Sequence, residues 1–572
     1  MRNETKNAME RIFHTLSRHP FLSLTAMCVL LFFFGFCQKE SMTAMSYVYA
    51  GIVMAVIYAL LLFAGRLISD RKPALVIFIT ASVFTAVGLM LMRCYADSPA
   101  LLLWMSLFLL AVLSTLMWLT NTLSDRNFIL LMIAAGVMLR LTYDLYTGWR
   151  ERQHDIGYFN WTWGHANYIE YWRDNGLKLP DFDVRTKFQY YQPPLHHMLM
   201  GWFFKLLESC GMENEKACQA LQFLPFLYSS LIMVVCYRIF RFVKLRGMPL
   251  VIAMAILCFH PTFVLMGGSY NNDILSVLMM LLSVMFALRW YKEPTLKRII
   301  PIALSVGLGM MAKLSGWMVA PAIAVMFLYV FVKNIKSWKR FIGQFALFGV
   351  ICAPLGLWWQ FRNFMMYQVP FTYVPVISDE THPQYYGDMS AFERLFNFGD
   401  GQLSYVYPAF TEHGDPYNEF NPTVGLLKTA LFDEGDKGIT SLNFPQISVT
   451  GPILFWVGVA LALLCTVAFV MSMISKKSGL EGIVRVFFSV MALTMLLSYY
   501  LYSFSYPFSC SLNIRFCVPL IPLFIMGLGL LLRRFSGEKL SEKIFRYTSY
   551  GLTAAFAVMS SLVYTQVALP VV

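Results

Sequence analysis

Charge is what this chain has least of. Only 13% of its 572 residues are Asp, Glu, Lys or Arg, about half of the roughly 25% found in ordinary soluble domains. A string of soluble domains is thereby excluded. The 58% of apolar residues instead recur in runs nearly end to end, as in one membrane-embedded unit. Zinc-type cysteine spacing is also missing: the 11 cysteines are scattered, most lie inside apolar runs, and no CxxC or Cys/His pattern occurs. Cys210 and Cys218 flank a short segment and form either a disulfide or two free thiols. There is no sugar-nucleotide site of Rossmann type, no sustained heptad, no low-complexity tract and no convincing repeat. The apolar run 21–36 lacks a small-residue cleavage site after it, so it reads as an uncleaved first span.

A formal net charge of +13 would suit nucleic acid, but the cations gather in short loops between spans: Arg66 to Lys72, Arg238 to Arg246, Lys292 to Arg298, Lys333 to Arg340, Lys476–Lys477 and Arg533–Arg534. Such a bias marks cytoplasmic loops. It predicts an inner (plasma) membrane protein with a cytoplasmic N-terminus, the lipid bilayer as partner and no nucleic acid. The expected architecture is an all-α polytopic membrane protein with about 14–15 transmembrane helices. Spans are expected near 21–36, 47–65, 73–92, 100–120, 127–145, 220–242, 250–266, 274–290, 299–311, 316–332, 342–360, 452–473, 483–502, 518–532 and 550–567. The short run 195–207, opening on Pro193–Pro194, is expected to be an interfacial helix, because a crossing there would put Arg238–Arg246 outside. Four parts follow: additional N-terminal helices (1–126), a core (127–368) with a long first outer loop (147–219), a second outer insert rich in acids and aromatics (369–450), and C-terminal helices (451–572).

Within this apolar setting the polar residues concentrate in a few places. His154–Asp155 follow the outer end of a span; Asp155 is either a solvated helix-end acid or a general base for an acceptor hydroxyl. Asn272–Asp273 cap the next helix, a role compatible with a place in a site. Lys313 sits where two short apolar runs meet, so it snorkels or meets an anion such as phosphate. Arg362 and Arg515 fall on the same side by the alternation of spans. Carboxylates and cations at one membrane surface suit a phosphate leaving group beside a deprotonated nucleophile. In the loop, Trp161, Trp163, Tyr168, Tyr171 and Trp172 either stack on a sugar or form an interfacial belt, and His165 and Glu170 can simply hydrogen-bond within the loop fold. A divalent cation could sit among His154, Asp155, His165 and Glu170, although their spacing is loose and none is required.

The order of the segments GHANYIEYW, YQPPL, HPTFVLMGGSYNND, GLGMMAKLSGW, WWQFRNFMMYQVPF and IRFCVPLIPLF resembles the GT-C superfamily of integral membrane glycosyltransferases. The nearest branch holds bacterial relatives of protein O-mannosyltransferases and of the lipid A aminoarabinose transferase. This resemblance spans about 127–532 and implies a GT-C fold, a polyprenyl-phosphate-linked sugar as donor, and inverting transfer to a glycan, lipid or protein acceptor on the outer face. By motif it makes Asp155 the base, although Ile156 stands where the mannosyltransferases carry a second acid. It places Lys313 and Arg515 near the donor phosphate, with Tyr191, Gln192, His196 and His197 shaping the sugar or lipid pocket. Competing expectations are a flippase or transporter of lipid-linked saccharide, for which paired halves are missing, and a surface-polysaccharide polymerase or ligase using a lipid diphosphate.

Overall fold

Where hydrocarbon replaces water, backbone groups must be satisfied within their own segment, so apolar runs of this length become helices. The computed structural model describes residues 99–119, 121, 123–151, 154–159, 164–375, 380–382, 384–399, 403, 419–433 and 444–568. The three spans expected before residue 99 lie outside them, as do Trp161 and Trp163. No strand occurs among the described residues; Tyr385 and Phe508 share one isolated bridge.

Helix α1 (Pro99–Leu119) packs on α2 (Asp125–Tyr146), whose first turn is capped by the Ser124 hydroxyl, which accepts from the Asn127 amide at 3.3 Å. The chain then forms the short helices α3 (His165–Asn175), α4 (Leu195–Ser209) and α5 (Asn214–Ala220). The run expected to be an interfacial helix is helical, as α4, and starts just after the proline pair. Helix α6 (Phe223–Phe242) follows. The single span expected at 250–266 is instead broken into α7 (Met248–Cys258) and α8 (Pro261–Leu265). Pro261 forces His260 out of helical geometry (φ −72°, ψ 122°). The carbonyl of Cys258 freed by the break accepts from Arg140 Nη1 at 3.0 Å. Arg140 lies wholly buried in α2 and also donates through Nε to Ser229 Oγ of α6 at 2.8 Å. One arginine therefore staples three helices.

Helices α9 (Asp273–Lys292) and α10 (Leu296–Ala312) pack side by side. A 3₁₀ turn, Leu314–Val319, leads into α11 (Ala320–Lys333), and α12 (Trp338–Tyr367) ends the core. The insert contributes α13 (Ala391–Phe396) and α14 (Pro422–Phe432). Helices α15 (Thr450–Ile474), α16 (Gly482–Ser505), α17 (Leu520–Arg534) and α18 (Leu540–Val567) complete the bundle. Seven helical stretches among the described residues are long and apolar enough to cross a bilayer. Some expected spans fall short of that length: α7 has 11 residues, α17 has 15 and α10 has 17.

Two open loop alternatives are decided. Cys210 is exposed and Cys218 is buried, and both thiols are free. Cys218 faces inward from α5 into an apolar cluster with Trp149, Met200 and Leu221, away from solvent. Tyr168 and Trp172 are neither a lipid belt nor a sugar platform, because both are fully buried with Tyr190, Val184 and Trp359. Here ring-on-ring packing organises the loop: the Tyr168 and Tyr190 centroids are 4.4 Å apart. Close approach of α3 and α4 depends on Gly201, where an added Cβ would sit 2.6 Å from the Ile169 carbonyl oxygen and 2.8 Å from the Arg173 amide nitrogen. These are backbone atoms and cannot swing aside. Gly201→Ala is expected to cost roughly 1–3 kcal/mol, read as a lower midpoint in thermal unfolding of the detergent-solubilised protein; an unchanged midpoint would show that the two helices have room to part.

Candidate functional site

Helix ends and loops, the places where backbone polarity is exposed, converge on one cavity of ≈ 890 Å³. Its lining includes His154, Asp155, His165, Tyr191, Gln192, Asn272, Asp273, Lys313 and Arg515. Nine of the thirteen residues singled out from the sequence thus share a wall. Glu170, His196, His197 and Arg362 do not. Glu170 is paired with Arg173 at 2.9 Å. Arg362 donates to the Pro180 carbonyl and, at 2.7 Å, to Asn363 Oδ1, and it lies over the Trp359 ring. His196 and His197 are fully buried behind the wall.

Asp155 occupies left-handed backbone space (φ 53°), which is uncommon for a residue with a side chain. It is held there by the start of α3: the His165 amide donates to the Asp155 carbonyl at 2.9 Å, and the Ala166 amide to the Ile156 carbonyl at 2.8 Å. The adjacent His154 approaches both carboxylate oxygens of Asp433 at 2.9 Å through Nε2. Asn513 Nδ2 donates to the same Asp433 at 3.0 Å, while Asn513 Oδ1 accepts from the Arg515 amide at 2.9 Å. One carboxylate therefore ties the loop carrying Asp155 to the loop carrying Arg515.

Opposite this tie, the ends of α9 and α10 grip one another. Asn272 Nδ2 donates to the Ala312 carbonyl at 2.6 Å, one of the orphan carbonyls at the end of α10. Lys313 leaves the helix in extended geometry (φ −151°, ψ 133°), and its ammonium donates to Asp273. Snorkelling to water is not its arrangement: its side chain is 17% exposed and that of Asp273 only 4%. Lys313 Nζ lies 5.7 Å and Arg515 Cζ 5.2 Å from the centroid of the Phe516 ring, so both cations border one aromatic ring.

His165 Nδ1 and His197 Nε2 are 2.8 Å apart. Burial first, then surrounding positive groups including Lys313 and Arg515, hold the His165 imidazole well below its usual range. Burial likewise depresses His197, and pushes His196 down to about 4. Hence the trio is neutral near pH 7 and supplies hydrogen-bonding dipoles rather than charge. Tyr191 is raised, by burial first and then by the Asp155 carboxylate, with Arg515 opposing, so its phenol stays protonated between base and cation. No three His, Cys, Asp or Glu side chains converge as a metal site among the described residues. With Glu170 turned to Arg173 and His154 to Asp433, the quartet offered by the sequence does not close.

Sequence reasoning missed Asp433 as a site residue, counting it only among the acids of the insert, and missed Asn513, although it stands two places before Arg515. It also missed Glu419 and Lys428, an ion pair at 2.6 Å with both side chains almost fully buried. Burial pushes the Glu419 carboxyl up to about 7 and the Lys428 ammonium down, each opposed by its partner. Nothing in local spacing marks Asp433, because its partners His154 and Asn513 are brought to it by the fold.

Residues 192–359 match the family described as dolichyl-phosphate-mannose-protein mannosyltransferase, under a third of the chain. No curated protein matches it. The matched stretch runs from Gln192 on the cavity wall through Asn272, Asp273 and Lys313 into α12. The chain is a polytopic helical membrane protein, and this central stretch of it is similar to the dolichyl-phosphate-mannose-protein mannosyltransferases.

Proposed function

We propose that the protein is an inverting glycosyltransferase that moves a sugar from a polyprenyl-phosphate donor to an acceptor hydroxyl on a glycan, lipid or protein. In this reading it acts at the outer face of the plasma membrane, with its N-terminus in the cytoplasm. One observation carries the reading: a carboxylate, Asp155, and two cations, Lys313 and Arg515, share a single cavity among helix ends. Such a cavity can hold an anionic leaving group and a nucleophile that must lose a proton.

The acceptor oxygen attacks the anomeric carbon from the side away from phosphate while Asp155 takes its proton. The bond between the anomeric carbon and the phosphate oxygen breaks, and its electron pair leaves with the polyprenyl phosphate. Lys313 and Arg515 stabilise the charge growing on that phosphate, a contribution larger in the transition state than in the ground state. Asp273 orients Lys313 and keeps the empty site from holding an uncompensated buried cation. Asp433 acts at one remove, fixing the spacing between the Asp155 and Arg515 loops through His154 and Asn513. The scheme requires no metal.

Mass spectrometry of lipid retained through purification in mild detergent tests the donor class: a polyprenyl-phosphate sugar is expected, whereas a diphosphate-linked oligosaccharide would favour a polymerase, ligase or flippase. With the identified donor, Asp155→Asn is expected to lower turnover by at least about 10²-fold, the range for losing a general base, while leaving donor binding unchanged. Comparable turnover would remove Asp155 from the chemistry. Arg515→Ala and Lys313→Ala are each expected to weaken binding of undecaprenyl phosphate by roughly tenfold or more, about the 1.5–3 kcal/mol of a hydrogen bond to a charged group. Unchanged affinity in both would end the phosphate assignment. Asp433→Ala is expected to lower turnover, with Asp433→Asn recovering part of it by accepting from the His154 ring; equal activity of wild type and Asp433→Ala would make the tie irrelevant to transfer.

A further inference from the structure

Helix α13 is built inside out for a segment of an extramembrane insert. Its basic residue Arg394 is buried, donating through Nη2 to the Ser503 carbonyl at 2.6 Å, while Glu393 stays exposed. The guanidinium also lies 4.2 Å from the Phe504 ring centroid and 4.7 Å from that of Tyr386. Both phenylalanines of the helix point outward: Phe392 is 72% and Phe396 60% exposed, their rings 4.9 Å apart. Phe398, just beyond the helix, is exposed as well. In water this arrangement leaves two phenylalanines unburied while an arginine occupies the interior, the reverse of ordinary partition.

What Arg394 holds explains the inversion. Ser503 belongs to the last turn of α16, a membrane-crossing helix whose exposed residues Val486, Leu493, Leu497 and Leu501 form an apolar, lipid-facing stripe. Ser503 stands two residues after Leu501, so the bond from Arg394 seats α13 at the end of α16 where Tyr502 and Tyr506 line the cavity, with Phe392 and Phe396 exposed beside it. The N-terminus of α13 is closed by a capping box between Ser390 and Glu393, which keeps so short a helix formed without apolar packing of its outer face.

We propose that α13 is a monotopic element that inserts Phe392 and Phe396 among the acyl chains of the leaflet on the cavity side. It seats the insert, whose residues 384 and 371–375 line the cavity, at the level where a membrane-borne substrate arrives. The inference does not depend on the reaction assigned above.

The test uses the full chain in nanodiscs of phosphatidylethanolamine and phosphatidylglycerol, with p-benzoylphenylalanine placed singly at Phe392, Phe396, Leu501 or Asp388. After irradiation, intact-mass spectrometry is expected to show the mass of one phospholipid added at Phe392, Phe396 and the lipid-facing Leu501, and none at exposed Asp388. Cross-linking of Phe392 and Phe396 to protein, whether this chain or another, would overturn the proposal in favour of a protein-covered face. Absence of lipid adducts at both positions while Leu501 reacts would overturn it outright.

Discussion

A lysine at the broken junction of two apolar helices must find an anion, and in this protein the junction and its anion are made together. The end of α10 exposes both the Lys313 ammonium and the Ala312 carbonyl, and the start of α9 answers both, through Asp273 and Asn272. Removing a carboxylate or ammonium from water costs several kcal/mol even after relaxation, so either charge alone would be a severe liability at this depth. Paired, they clamp the two helices and leave a polarised floor beneath the cavity. Replacing both by apolar residues would hold the helices with less strain on solvation, but no charge would remain for a phosphate to meet. In the proposed mechanism this clamp is the electrostatic floor on which the leaving group departs.

The opposite wall solves a different problem, that of bringing together segments far apart in the chain. His154 and Asp433 are 279 positions apart, and Asp433 and Asn513 are 80. A carboxylate can accept several hydrogen bonds at once, which is what a three-way junction of loops requires. Both Asp155 and Asp433 have left-handed φ, so two non-glycine residues hold unfavoured backbone angles within one junction. Such strain persists only where surrounding contacts over-determine it. Here the contacts are the amides at the start of α3 and the carbonyl of Thr429, which accepts from the Asp433 amide at 3.1 Å.

Much of the fold was legible in the sequence because hydrocarbon permits few solutions. Apolar runs became helices, the proline pair opened a short helix, and the polar oddities Asp155, Asp273, Lys313 and Arg515 met in one cavity. What was not legible had tertiary causes. Pro261 sits inside a run whose overall hydropathy suggests a crossing, and the break is stabilised by Arg140 from another helix. Arg362 shares its side of the bundle with the site, but the Pro180 carbonyl and the Trp359 ring claim its guanidinium. Tyr168 and Trp172 have the composition of an interfacial belt and the packing of a core, a distinction that depends on which rings surround them.

The family match divides the site unevenly, and that division bears on which assignments stand on which ground. Asn272, Asp273 and Lys313 fall within 192–359, whereas Asp155, Asp433 and Arg515 fall outside it. The clamp therefore belongs to the part of the chain that resembles known mannosyltransferases. The proposed base and second cation rest on geometry: one loop strained against α3, another pinned through Asn513, both lining the cavity with the clamp. In the proposed mechanism the reacting centre needs all three parts, but only the clamp is built from the ends of the packed helices α9 and α10. The other two are loop elements joined by Asp433, a residue of the insert. Changes in the insert can thus reshape what enters the cavity, provided the carboxylate that sets the spacing of the two loops is kept.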